Sequence, residues 1–201
     1  NEPVAAAAAY RNAIAIDPGY EPALAGLRAL LEVPATRGAA ADALATTYAR
    51  TGDVAAVLDL LPARLAECET AGPDGSHDDK TELALLREAA SLRLAHHGAA
   101  GRSAALADLA RAFPLAPRDQ MIEKQLLELA QATGEYTPVA LAFGEAISVL
   151  HARGATDQDL DATRLRFLTA DMLAEHLGDL DAAANLYFDV ANAMPNDRRA
   201  A

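Results

Sequence analysis

The chain has 201 residues, a formal net charge of −12 and 52% hydrophobic residues, with 51 alanines among them. That surplus of acid repels phosphate backbones and anionic membrane surfaces, which argues against nucleic acid as a partner. One cysteine, Cys68, excludes an intrachain disulfide and a cysteine-built zinc site, and no run of about 18 apolar residues is present to cross a membrane. Aromatic residues are 4% and tryptophan is absent, so wide flat ligand pockets are poorly supplied. Alanine has the highest helix propensity and lets helix axes approach closely. The composition therefore reads as all-α and closely packed. No signal-peptide pattern is visible, and "EPVAAAAAYRNAIAI" opens the chain as though inside a helix. The expectation is a piece of a longer protein, cytoplasmic by default.

Apolar spacing of three and four predicts helices at 3–16, 21–32, 36–50, 53–70, 80–97, 102–114, 117–132, 135–153, 157–177 and 180–194. Asp17-Pro18-Gly19 cannot continue the first, and Glu21-Pro22 restarts the second. Pro62 predicts a kink or a late start in the fourth. Connections of about two to six residues suit antiparallel neighbours. Only "AGPDGSHDD", 71–79, has the composition of a flexible loop.

A pattern recurs in these elements. Ala6, Tyr10, Ala13 and Pro18 have the same spacing as Ala105, Leu109, Ala112 and Pro117, and as Ala183, Tyr187, Val190 and Pro195. Small residues admit a neighbouring helix, the larger apolar one fills the space beside it, and proline cannot donate the next backbone hydrogen bond. A companion pattern, Leu44-Ala45, Tyr48 and Gly52-Asp53, has weaker copies at Gly134-Glu135 and Gly178-Asp179. Glycine supplies a left-handed helix end and the acid favours the next helix start. Together the halves make a helical hairpin of about 34 residues.

These residues resemble the tetratricopeptide repeat family over nearly the whole chain. "GDLDAAANLYFDVANAMPND", 178–197, is the best second helix, and "ALATTYARTGD", 43–53, the best first helix. The family's tryptophan is missing throughout. The likeness is greatest to the alanine- and leucine-rich arrays of large bacterial multi-repeat proteins. It implies a single domain over 1–201: a right-handed α-solenoid of antiparallel helix hairpins, about ten helices, with a concave groove lined by each hairpin's first helix. The prolines stand 99 and then 78 residues apart, and four predicted helices separate the first two matching ones where strict alternation needs an odd number. An extra helix is therefore expected, with 21–32 the candidate and an irregularity near residues 19–52.

Counting back from the turn glycines, the resemblance implies ligand-facing side chains at Asp42, Thr46 and Arg50 before Gly52. It places Arg87 and His97 before Ala100, which stands in the glycine's place, and Met121, Lys124, Glu128 and Gln131 before Gly134. Met172, Glu175 and His176 precede Gly178, provided no residue is inserted. These positions do not reproduce the Lys/Asn/Arg set of the family's two-carboxylate clamp for chaperone tails.

The sharpest enzyme-like signal is "DDKTE", Asp78 to Glu82, which resembles the acidic cluster with which all-helical terpene synthases hold magnesium against a diphosphate. Two carboxylates one helical turn apart can share a hard cation. Their second metal motif is not evident here, and Asp79 with Glu82 also makes a capping box. Asp74, Ser76 and Asp78 begin a calcium-loop pattern, but Asp79 occupies the glycine position and Leu85 the closing acid position. His96 and His97 are adjacent, so they diverge by about 100° on a helix and suit its C-terminus rather than a shared ion. Cys68 follows an apolar face with Leu60, Leu61 and Leu65 and is expected to be a buried structural thiol. No nucleophile, metal site or cofactor is expected. The expectation is a non-enzymatic scaffold binding a protein or peptide in its groove. The alternatives are an all-helical magnesium-dependent prenyl-diphosphate enzyme using Asp78, Asp79 and Glu82, or a peptide-sensing regulatory repeat domain.

Overall fold

The computed structural model describes residues 2–69, 72 and 76–193, and every regular element among them is helical. In chain order these are α1 (Glu2–Ile16), α2 (Glu21–Leu30), α3 (Arg37–Thr51), α4 (Val54–Asp59), α5 (Leu61–Cys68), α6 (Asp79–His97), α7 (Arg102–Ala112), α8 (Gln120–Thr133), α9 (Thr137–Ala152), α10 (Leu160–Met172) and α11 (Leu180–Ala193). Short 3₁₀ turns follow α6 and α7, and a π-turn, Leu173–Leu177, extends α10. The chain divides into two compact units, residues 1–85 and 86–201, with the division inside α6.

Local chemistry sets most element ends. Gly52, Gly134 and Gly178 close α3, α8 and the π-turn in the left-handed region, with φ of 79°, 78° and 71°. Aspartate starts five helices, with Asp53, Asp78, Asp119, Asp159 and Asp179 before α4, α6, α8, α10 and α11. Asp53 accepts the Ala56 amide at 3.1 Å, Asp119 the Met121 amide at 2.9 Å, and Asp159 the Asp161 amide at 3.0 Å. Each satisfies amides that a helix start leaves without intrahelical partners. Pro62 lies in the first turn of α5, where its missing N–H costs nothing, and the fourth predicted helix is accordingly split into α4 and α5.

In the first unit α3 is the central element, packing against α1, α2, α4 and α5. Its alanines make this possible: Ala40, Ala41, Ala43 and Ala45 are all buried beside Leu44. Ile14 of α1 and Leu24 and Leu27 of α2 complete the same core. Tyr10 packs over Gly26, so closely that a Cβ there would stand 2.4 Å from its ring. The turn into α3 is held by side chains. Buried Thr36 donates its hydroxyl to the Leu30 carbonyl at 3.1 Å, and Arg37 donates to the Leu31 carbonyl at 2.9 Å. These bonds satisfy carbonyls that the end of α2 leaves open. Helix α2 is thus built into the core through its own apolar face, against both α1 and α3.

In the second unit α7 packs against α8 and α9, α9 against α10, and α10 against α11. Phe113 and Phe143 are fully buried with ring centroids 5.1 Å apart and planes tilted by 52°. Leu106, Ile122, Leu126, Val139 and Leu165 of the same unit are fully buried too. Truncating either phenylalanine to alanine would cost about 3–5 kcal/mol by the usual penalty for an emptied aromatic site.

The recurring pattern fares unequally. Ala105, Leu109 and Ala112 are buried in α7, as are Ala183 and Val190 in α11. In α1 the buried positions are Ala7 and Ile14, while Ala6, Tyr10 and Ala13 are half-buried. Pro18 and Pro117 lie in the turns that follow α1 and α7. Pro195 lies outside the described residues, as do residues 71 and 73–75 of the candidate loop 71–79.

Candidate functional site

Helices α1 and α3 flank an open groove of about 430 Å³ in the first unit. Arg11 and Ala15 of α1 form one wall, and Ala39, Asp42, Thr46 and Arg50 of α3 form the other. The α3 positions lie four or so residues apart, which brings them onto one helix face. From Ala39 to Arg50 that wall is about 16 Å long at the helical rise. All three side chains inferred on α3 from the turn glycine therefore meet in one groove, all exposed.

The groove's charges are unequally engaged. Asp42 accepts from Arg64 Nε at 2.8 Å, so its charge is matched by a neighbour on α5. The Thr46 hydroxyl donates to the Asp42 carbonyl at 2.8 Å. Among the described residues, neither Arg11 nor Arg50 has a carboxylate partner. Sequence reasoning missed Arg11 and Ala15 because α1 matches the pattern of a second helix; only their position across from α3 reveals them.

The other inferred positions belong to the second unit. Met121, Lys124, Glu128 and Gln131 are all exposed on α8, with Lys124 and Glu128 3.8 Å apart. Arg87 is engaged, donating to Asp119 at 3.0 Å, and His97 is exposed at the end of α6. Glu175 and His176 are exposed, and the His176 ring stacks on Tyr136 with centroids 3.7 Å apart. Met172 requires a correction: it is buried, at 4% exposure, and belongs to the core. The π-turn holds one more residue than an α-turn, so a count made for an unbroken α-helix stops one position short of the exposed face. Asp171, its neighbour, is exposed and accepts the Tyr187 hydroxyl at 2.5 Å.

Ion pairs in the second unit tie helix starts to neighbouring elements. Arg118 donates to Asp159 at 2.8 Å and also to Asp161, and Arg164 donates to Glu123 at 2.8 Å. The Arg118 hydrogen bond and the capped amides hold the Asp159 carboxyl below its ordinary range, and the same bond raises the Arg118 guanidinium. Burial pushes Glu123 and Asp108 up, outweighing the guanidinium beside each, Arg164 and Arg93. These carboxylates are half-buried structural partners rather than groups poised in a cleft.

The acidic cluster is taken up locally. The carboxylate that starts α6 is Asp78, one residue earlier than the capping box anticipates. It accepts the Thr81 amide at 3.1 Å and the Thr81 hydroxyl at 2.6 Å, which holds it below the ordinary carboxylate range. Glu82 is buried and bonded to His77. No group of three or more His, Cys, Asp or Glu side chains among the described residues is placed to hold a metal ion. Cys68 is buried, its thiol 3.6 Å from the Arg64 carbonyl. No helix among the described residues is long and apolar enough to cross a membrane. Comparison of the chain with protein-family models and with curated proteins gives no match.

Proposed function

We propose that this chain is a non-enzymatic recognition module of stacked helical hairpins, of the tetratricopeptide-like kind, which binds an extended segment of another protein in the α1–α3 groove. The observation that carries the reading is the convergence of Asp42, Thr46 and Arg50 on one open groove whose facing wall is a second helix. Packing within each unit joins helices that are adjacent or next-but-one in sequence, which supports a stacked-hairpin architecture. Such a scaffold is rigid before binding, so little ordering cost falls on the protein side of a complex. About five residues of extended chain, at about 3.3 Å each, match the length of the α3 wall.

The test is a display selection of random peptides on the full chain, followed by binding to wild type and Thr46→Trp. Thr46 is exposed, so an indole there fills the groove without entering the core. Selected peptides should lose at least about tenfold in affinity for the variant, as when a wall residue is blocked. Peptides that bind both forms equally would place recognition elsewhere, and a selection yielding none would overturn the proposal.

A further inference from the structure

We infer that the α1–α3 groove selects an extended segment bearing acidic side chains, whose carboxylates are taken by Arg11 and Arg50. The inference rests on the groove being the binding surface and adds the chemistry of what it holds. The chain as a whole is acidic, with 29 Asp and Glu against 17 Lys and Arg. Its arginines are mostly engaged with those acids: Arg28 with Glu21, Arg64 with Asp42, Arg93 with Asp108 and Arg118 with Asp159. Arg11 and Arg50, like Arg37 and Arg102, have no carboxylate partner among the described residues, but Arg11 and Arg50 line the same groove from opposite walls. The one acid in the groove, Asp42, is matched by Arg64. The groove is therefore a locally cationic strip on an anionic chain.

A guanidinium meets a carboxylate with two parallel N–H donors, and such charge-assisted bonds are about twice as strong as neutral ones. Two guanidiniums on two helices suit two carboxylates spaced along one strand better than a single chain terminus. The lining between them includes the small side chains of Ala15, Ala39 and Ala43, which let an extended backbone approach. A nucleic acid is disfavoured because its phosphates would face the net charge of −12 beyond this strip.

The experiment is an NMR titration of the full chain with the peptides Ala-Glu-Ala-Glu-Ala, Ala-Gln-Ala-Gln-Ala and Ala-Lys-Ala-Lys-Ala, followed at the Asp42, Thr46 and Arg50 amides. The glutamate peptide should bind at least tenfold more tightly than the glutamine peptide and weaken as salt is raised. Arg11→Gln and Arg50→Gln should each remove fivefold or more of that affinity, and Arg50→Lys should restore part of it. Circular dichroism checks that these exposed substitutions leave the fold intact. Equal or tighter binding of the glutamine or lysine peptide at the same amides overturns the acidic preference while leaving the groove as the binding surface. Tighter binding of a ten-nucleotide oligothymidine at those amides overturns it as well. If no peptide shifts them, this inference and the groove reading fall together.

Discussion

Arg118, in the turn before α8, donates to Asp159 at 2.8 Å while Asp159 caps the start of α10. The carboxylate divides its two oxygens: Oδ2 takes the guanidinium, and Oδ1 takes the Asp161 and Ala162 amides at 3.0 and 3.1 Å. One side chain thus fixes both where α10 begins and how its first turn meets the α8 turn.

Asp159→Ala removes both functions and should destabilise the protein by about 1–2 kcal/mol, the range for a lost N-cap. Asp159→Asn keeps an oxygen for the amides and should cost less. The folded-state pKa of Asp159 is lowered, so its ionic contribution is present above the unfolded carboxylate pKa and fades as pH falls through the lowered folded value. Urea unfolding at neutral and acidic pH should show the gap between wild type and Asp159→Asn closing in acid.

Gly26→Ala places a methyl 2.4 Å from the Tyr10 ring, and overpacking of this kind costs about 1–3 kcal/mol. With Tyr10→Ala already in place the clash is gone. The same substitution should then stabilise α2 by up to about 1 kcal/mol through helix propensity. A double-mutant cycle by thermal unfolding checks the change of sign.

The Tyr187 hydroxyl donates to Asp171 at 2.5 Å, and that bond pushes its pKa from 10.0 to about 12. A raised folded pKa means that the stabilisation is whole below the unfolded value and lost as pH rises toward about 12. In an absorbance titration of phenolate formation across the 5 tyrosines, one late-ionising group should be seen. Asp171→Asn should move that group earlier, and Tyr187→Phe should abolish it.

Two glycines separate backbone strain from steric clash. At Gly134, with φ of 78°, an added Cβ meets nothing within 4 Å, so Gly134→Ala should cost only the left-handed penalty of about 1–2 kcal/mol. Gly101 has an ordinary φ of −84°, but its Cβ would lie 2.4 Å from the Arg93 carbonyl oxygen. Gly101→Ala should therefore be the more damaging, with the loss visible in the unfolding midpoint.

The helices were legible in the sequence wherever a residue has one dominant structural use. Gly52, Gly134 and Gly178 marked helix ends because a left-handed residue is wanted there, and Pro62 marked a break because it cannot sit inside a helix. On α3, Asp42, Thr46 and Arg50 were legible as a set because an unbroken α-helix preserves its phase back from Gly52. The same count failed at Met172 because the π-turn slips the phase, and no composition signal announces a π-turn. The cap of α6 was misplaced by one residue because Asp78 and Asp79 are chemically alike, and only the Thr81 bonds distinguish them. Arg11 was invisible for a different reason. Its importance lies in facing α3, a relation that the spacing of α1 alone cannot carry.

Leu85 and Leu86, consecutive and both buried, straddle the division between the two compact units in the middle of α6. A protease needs an extended stretch of chain to cleave, and this seam offers a helical one instead. Limited proteolysis is therefore a poor guide to where the molecule can be dissected. Fragments cut at the seam would each inherit a helical stub with a severed apolar stripe, so autonomous halves prepared for separate study should each carry residues 79–97 whole.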